Sequence, residues 1–189
     1  MNIMIVGVGG QGTLLASRIL GAAAQSKDLD VKLSEVHGMS QRGGSVVTYV
    51  RYGEEIASPV IEEGGADIIL AFEQLEAYRY LPYLKEGGVI ICNTQKTDPM
   101  PVICGNAKYP EEILEKIEKM GIKVIACDAL SLAEEAGNIK AVNVALIGVL
   151  AKHSTFTKEE WINAINTAVP PKFLDINLKA FELGYEFNA

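Results

Sequence analysis

The chain has 189 residues, is 49% hydrophobic and carries a formal net charge of −7. That apolar content argues against a disordered chain, and the length is enough to bury a core without disulfides or a structural metal. An acidic surface repels nucleic acid on average, and no apolar run reaches the ~18 residues of a membrane span, so neither nucleic acid nor membrane is expected as a partner.

Asn2 to Val8 (NIMIVGV) is a short apolar run that reads as a buried parallel strand. Gln11 to Gln25 follows as a helix, with Leu14, Leu15, Arg18, Ile19 and Ala22 at helical spacing. Val31 to Val36 is a second short strand and His37 to Gly44 a polar, glycine-rich loop. Val46 to Tyr52 (VVTYVRY) is a strand by its β-branched and aromatic content. Asp67 to Phe72 reads as another buried strand. Glu73 to Leu84 reads as a helix that stops near Gly87-Gly88, with a strand over Val89 to Asn93. Pro110 to Met120 is an amphipathic helix with proline at its start and Gly121 at its end. A strand over Ile122 to Cys127 leads to Asp128, a cap for a helix over Ala129 to Ala136. Beyond residue 140 the pattern is helical: Val142 to Lys152, then Thr157 to Ala168 opened by a Thr157/Glu160 capping box, a break at Pro170-Pro171, and Phe173 to Tyr185. Strands alternating with helices predict an α/β fold: a Rossmann-like three-layer domain with a mostly parallel sheet and a helical C-terminal segment, one domain over residues 1–189.

Two segments could carry chemistry. Gly7-Val8-Gly9-Gly10-Gln11-Gly12 places G-x-G-x-x-G directly after a strand and at the opening of a helix. Glycine permits the tight turn, a phosphate can approach bare backbone, and the helix start offers free N–H groups at its positive pole. The plainer alternative is a strand–helix turn with no ligand. A dinucleotide site also needs an acidic residue about 20 residues further on, to hold the ribose. Glu35 is available, but an ordinary dehydrogenase does not follow it with HGMSQRGG. That loop sets His37, Ser40, Gln41 and Arg42 beside Gly38, Gly43 and Gly44. Arg42 could hold a phosphate or carboxylate by a two-pronged hydrogen bond, and Gly43 and Gly44 would let a ligand or another chain approach. His37 titrates near neutrality, yet contact with a ligand or interface is a better reading of it than catalysis. No catalytic residue is assigned to this chain.

The remaining polar residues read more plainly. Cys92, Cys104 and Cys127 are far apart and form no CxxC pair, so no zinc or iron–sulfur site is expected. Two of them sit in apolar runs as buried free thiols. Free thiols, and an N-terminus without the basic region of a secretory signal, point to the cytoplasm. His153 reads as a cationic cap at a helix end. Glu111, Glu112, Glu115 and Glu118 read as a solvated helix face, and Trp161, Tyr78, Tyr80 and Tyr83 as packing residues. Asn143, opening a late helix, is a weaker candidate for contact with a site. The sequence has no G-D-G with a downstream asparagine, no P-loop, no G-x-S-x-G elbow and no His/Asp/Glu cluster at metal-ligand spacing.

GVGGQG at 7–12, paired with EVHGMSQRGG at 35–44 and SVVTYVR after it, resembles the gamma-type domain of the 2-oxoacid:ferredoxin oxidoreductases. The likeness is nearest to the beta-subunit branch of the indolepyruvate enzymes. NVALIGVLAK at 143–152 and the PPKFLDINLKAFELGYE segment also fit, so the resemblance spans nearly the whole chain. It implies a reaction of anaerobic metabolism. A 2-oxoacid adds to thiamine diphosphate and loses CO2, electrons pass through 4Fe-4S clusters to ferredoxin, and the acyl group passes to coenzyme A. It also implies that thiamine diphosphate, Mg and the clusters are held mainly by a large thiamine/iron–sulfur partner subunit, with this chain inactive alone. The family pattern places the cofactor and coenzyme A environment on Gly7, Gly9, Gly10, Gln11, Gly12, His37, Ser40, Gln41, Arg42 and Gly43. Gln11, Ser40, Gln41 and Arg42 are the expected polar contacts. Pyruvate, a branched-chain 2-oxoacid or 2-oxoglutarate are alternative substrates. A nucleotide-binding Rossmann protein and a stand-alone binding module are the alternative functions. An isolated chain could pair with itself as a homodimer.

Overall fold

A computed structural model of the chain describes residues 1–35 and 43–188 and is built on a six-stranded sheet. Strands β1 (Asn2–Val8), β2 (Asp30–Glu35), β3 (Ser45–Gly53), β4 (Ala66–Ala71), β5 (Leu84–Asn93) and β6 (Lys123–Cys127) lie in the order β2-β3-β1-β4-β5-β6. Strands β1, β4, β5 and β6 run parallel, while β3 runs antiparallel to both of its neighbours. The sheet is thus mostly parallel, as the alternation of elements predicts. The helices are α1 (Thr13–Gln25), α2 (Gln74–Arg79), α3 (Met100–Ile103), α4 (Ile113–Lys119), α5 (Ala129–Ala136), α6 (Val142–Ala151), α7 (Lys158–Ala168) and α8 (Leu174–Glu186).

Successive strand side chains point to opposite faces, and here both faces are covered. Ile3, Ile5, Ile68, Leu70 and Ile91 pack with residues of α1, α5, α6, α7 and α8. Met4, Val6, Ile69, Ile90 and Cys92 pack against Ala77 of α2 and Ile113 and Ile117 of α4. The result is three layers: helices, sheet, helices. Helix α6 is buried along its whole length from Asn143 to Ala151, which is why its sequence is apolar all round. Helix α8 crosses it at backbone contact. A Cβ on Gly148 would lie 2.2 Å from the Phe181 carbonyl oxygen, and one on Gly184 2.0 Å from that of Ala145.

Several elements depart from the sequence reading. Helix α1 starts at Thr13 rather than Gln11, because Gly12 is left-handed at φ 82. The helix expected over Glu73 to Leu84 ends at Arg79. Pro82 has no N–H to continue it, a 3-10 turn forms over Leu81–Tyr83, and the chain enters β5 at Leu84. Gly87 and Gly88 therefore stop no helix. They lie inside β5, where its register against β4 shifts. Helix α4 starts at Ile113 rather than Pro110, after a left-handed Glu112 at φ 55. The four-residue α3 is too short to leave a periodicity. The caps follow expectation: Asp128 accepts from the Ser131 N–H at 3.1 Å, and Thr157 and Glu160 form their capping box. His153 follows the end of α6, its N–H donating to the Leu150 carbonyl oxygen at 2.9 Å. Burial, with Lys123 and Lys152 nearby, pushes its pKa below the ordinary imidazole value. Cys92 and Cys127 are buried and Cys104 is exposed. Among the described residues no helix is long and apolar enough to cross a membrane.

Candidate functional site

Strand β1 leads through α1 to β2 on one side of the sheet, whereas β4 leads to β5 on the other. Open α/β sheets bind ligands outside the carboxyl ends of their strands at such a switch point. The glycine turn lies there, directly after Val8.

Each residue of the turn has its own part. Gln11 folds back: its Oε1 accepts from the Val8 N–H at 2.7 Å, and its Nε2 donates to the Phe72 carbonyl oxygen at 3.3 Å. Both ends of this amide are engaged within the chain, so Gln11 ties the turn to the end of β4 instead of pointing freely at a ligand. Gly7 makes that fold possible, since a Cβ there would lie 2.7 Å from Gln11 Oε1 and 3.0 Å from Phe72 Cβ. Gly12 is crossed by Asn143, which is 4% exposed and donates through Nδ2 to the Gly12 carbonyl oxygen at 3.1 Å. A Cβ on Gly12 would meet that nitrogen at 2.5 Å. Gly10, at φ 102, has nothing within 4 Å of its missing side chain, so its backbone is bare toward open space. The first turn of α1 has no side-chain cap at Gly12 and no acidic residue. Its leading N–H groups, which lack acceptors within the helix, mark the positive pole beside Gly10.

The second motif arrives at the same place. Gly9 donates its N–H to the Gly44 carbonyl oxygen at 2.9 Å, and Gly43 donates to that of Gly9 at 3.2 Å. These bonds extend the β1–β3 ladder past its last pair, Val8 and Ser45. Gly43, at φ 89, also has nothing within 4 Å of its missing side chain. Gly9, Gly10, Gly12 and Gly43 therefore form one backbone cradle. His37, Ser40, Gln41 and Arg42 lie outside the described residues.

A hollow opens on each side of the turn. One, of about 280 Å³, is lined by Gly9, Gly10, Gly12, Thr13, Glu35 and Thr48 among others. The other, of about 570 Å³, is lined by Gly10, Gln11, Phe72, Gln95, Lys140 and Asn143 among others. Lys140 brings a cation to the second. Glu35 accepts from the buried Ser17 hydroxyl at 2.8 Å. It does not occupy the ribose-binding position of a dinucleotide fold. There the second strand pairs directly with the first, whereas here antiparallel β3 lies between them. Among the described residues, no group of three or more His, Cys, Asp or Glu side chains could hold a metal ion.

Sequence reasoning missed two buried carboxylates on the far side of the turn. Glu73 is 1% exposed and Glu76 4%. Glu73 caps α2 by accepting from the Glu76 N–H at 3.0 Å, and it also accepts from the Thr97 N–H at 3.2 Å and from the Tyr109 hydroxyl. Burial and then Glu73 hold the Tyr109 hydroxyl far above its usual titration range. Glu76 accepts from the Ser45 hydroxyl and, at 3.2 Å, from Arg79 Nε. Two glutamates one turn apart look like any exposed helix pair in sequence. The only signal available was their place directly after a buried strand.

A three-layer α/β protein with a glycine cradle at its switch point belongs to the Rossmann-like class. More specifically, residues 2–187 match the family described as pyruvate ferredoxin/flavodoxin oxidoreductase, and the chain belongs to that family. It is 48% identical, over 97% of its length and 93% of the relative's, to the indolepyruvate oxidoreductase subunit IorB of Thermococcus kodakarensis. It is 47% identical, over the same shares of both chains, to the IorB subunit of Pyrococcus horikoshii. Among solved structures it is similar to the gamma subunit of a keto/oxoacid ferredoxin oxidoreductase from Geobacter sulfurreducens. There the identity is 26% and the TM-score 0.72, over 98% of this chain and 96% of that one.

Proposed function

We propose that this chain is the small subunit of a 2-oxoacid:ferredoxin oxidoreductase that acts on arylpyruvates such as indolepyruvate. The observation that carries the reading is the 48% identity to an indolepyruvate oxidoreductase subunit over 97% of the chain. In the proposed reaction the 2-oxoacid loses CO2, its acyl group forms a thioester with coenzyme A, and two electrons pass to ferredoxin. Thiamine diphosphate and Mg supply the carbanion chemistry when bound, and the large partner subunit is assigned both. This chain lacks the G-D-G signature that would hold them. The 4Fe-4S clusters are assigned to the partner as well, because the chain has three cysteines and such a cluster takes four thiolates.

The chain's own part is to bind and orient. The side-chain-free backbone at Gly10 and the leading N–H groups of α1 suit an anionic oxygen, and the phosphates of coenzyme A are the ligand chemistry they fit. Gly9, Gly12 and Gly43 shape that cradle, while Gln11 and Asn143 hold it. His37, Ser40, Gln41 and Arg42 complete the proposed set as polar contacts from the second motif. The chain acts as one domain, in the cytoplasm. The reading is tested by anaerobic co-expression with a large thiamine/iron–sulfur subunit from the same organism. A stable complex that reduces ferredoxin only when both chains are present supports it. A fully cluster-loaded partner that neither binds this chain nor needs it would overturn it.

A further inference from the structure

Ser45 and Glu76 meet behind the cradle. Glu76 lies on α2 and is 4% exposed, and its Oε2 accepts from the Ser45 hydroxyl. Its other oxygen accepts from Arg79 Nε at 3.2 Å, and Tyr80 Oη lies 3.5 Å from Ser45 Oγ. Burying a carboxylate is costly unless its oxygens are satisfied, and a hydroxyl bonded to an ionised carboxylate makes a strong, short contact. The helix that carries Glu76 is itself pinned. Glu73 caps it and also takes the Thr97 N–H and the Tyr109 hydroxyl.

Ser45 is where this anchor meets the site. It is the first residue of β3 and pairs with Val8, the last residue of β1. The next two bonds along that edge are those joining Gly9 to Gly44 and Gly43 to Gly9. Strand side chains alternate, so Ser45 points toward α2, while Val46 and Thr48 line the hollow on the opposite face. The Ser45 side chain is thus turned away from the hollow and still fixes the backbone that shapes it.

We infer that the Ser45–Glu76 pair is a positioning clamp that holds the glycine cradle in its binding geometry. This rests on the proposed function only for its catalytic consequence, since the clamp acts on the turn whether or not a ligand is present. Loss of one buried, charge-assisted hydrogen bond should loosen the Gly9 and Gly43 amides and leave the inner ladder, such as Val6 opposite Val47, intact.

The test is hydrogen–deuterium exchange of the full chain, as wild type, Ser45→Ala and Ser45→Thr, followed by coenzyme A kinetics of each in the assembled enzyme. Ser45→Ala is expected to speed exchange at Gly9 and Gly43 by about tenfold, with β1 and β3 otherwise still protected. It should raise the KM for coenzyme A about tenfold while kcat moves less than about threefold. Ser45→Thr, which keeps the hydroxyl, should restore both. Should Ser45→Ala fold poorly, Glu76→Met, which keeps the side-chain length and removes the acceptor for Ser45, is read in the same way. Unchanged exchange at Gly9 and Gly43, or exchange that rises equally across the sheet, would overturn the clamp, while loosened Gly9 and Gly43 amides with an unchanged KM would overturn the coenzyme A reading of the cradle instead. A wild-type chain that supports no ferredoxin reduction at all would instead overturn the functional reading, and the exchange result would stand apart from it.

Discussion

Asn143, at the start of α6, donates its side-chain amide to the carbonyl oxygen of Gly12, at the start of α1, across 3.1 Å. One hydrogen bond thereby ties the helical C-terminal segment to the glycine turn. Asn143→Ala removes one donor, while the Gly12 carbonyl keeps the Leu15 and Ala16 N–H groups at 3.2 and 3.4 Å, so the loss is that of one hydrogen bond, about 0.5–1.5 kcal/mol. Asn143→Asp sets a carboxylate against the same oxygen and should cost at least as much. Urea denaturation measures both, and a loss under about 0.5 kcal/mol for Asn143→Ala would show that the contact does not hold the turn.

Gly10 and Gly12 share a left-handed backbone but differ in their surroundings. Gly10→Ala meets no neighbour within 4 Å, so only its φ of 102 opposes it, at about 1–2 kcal/mol. Gly12→Ala carries a similar backbone cost and also drives a methyl into Asn143 at 2.5 Å. Thermal melting should therefore rank wild type above Gly10→Ala and Gly10→Ala above Gly12→Ala. The reverse order of the two variants would contradict the packing described at Gly12.

Gly148 and Gly184 set the distance between α6 and α8. Neither can take a methyl group without forcing the helices apart, because the obstructing atoms are backbone carbonyls. Gly148→Ala is expected to cost about 4 kcal/mol or more, the range reached by severe overpacking. Soluble yield and the urea midpoint report it. A variant within about 1 kcal/mol of wild type would mean that the helices are not in backbone contact.

Thiol reactivity separates the cysteines. Burial, and then Glu73, pushes the Cys92 thiol far above its ordinary range, while burial, and then Asp128, pushes Cys127 up to about 12. Cys104 is exposed. A thiolate is the reactive form, so mild alkylation near pH 8 should modify one thiol per folded chain and all three in denaturant. Cys104→Ser should abolish the folded-state reaction. Rapid labelling of Cys92 in the native chain would contradict its place in the core.

Much of this was legible in the sequence. The apolar runs at Asn2–Val8 and Asp67 to Phe72 and the cap at Asp128 carry local signals, because strand burial and helix caps depend on near neighbours. The two glycine motifs pointed to the candidate site because residues without side chains serve close approach. What stayed hidden depends on distant contacts. The reversal of β3 between β1 and β2 is a matter of pairing, which no local pattern encodes. The inward turn of Gln11 needs the Phe72 carbonyl, and the burial of Glu73 and Glu76 needs Tyr109 and Ser45. The early end of α2 was the exception: Pro82 stood in the sequence as a stop signal ahead of Gly87.

The role proposed for this chain is to complete an arylpyruvate-oxidising enzyme. The most direct measurement is anaerobic, coenzyme A-dependent reduction of ferredoxin by the large subunit, with and without this chain, across indolepyruvate, phenylpyruvate, pyruvate, a branched-chain 2-oxoacid and 2-oxoglutarate. Activity is expected only when both chains are present, with kcat/KM highest for the arylpyruvates. A cluster-loaded large subunit equally active alone would contradict the subunit role, and a preference for pyruvate or 2-oxoglutarate would contradict the substrate.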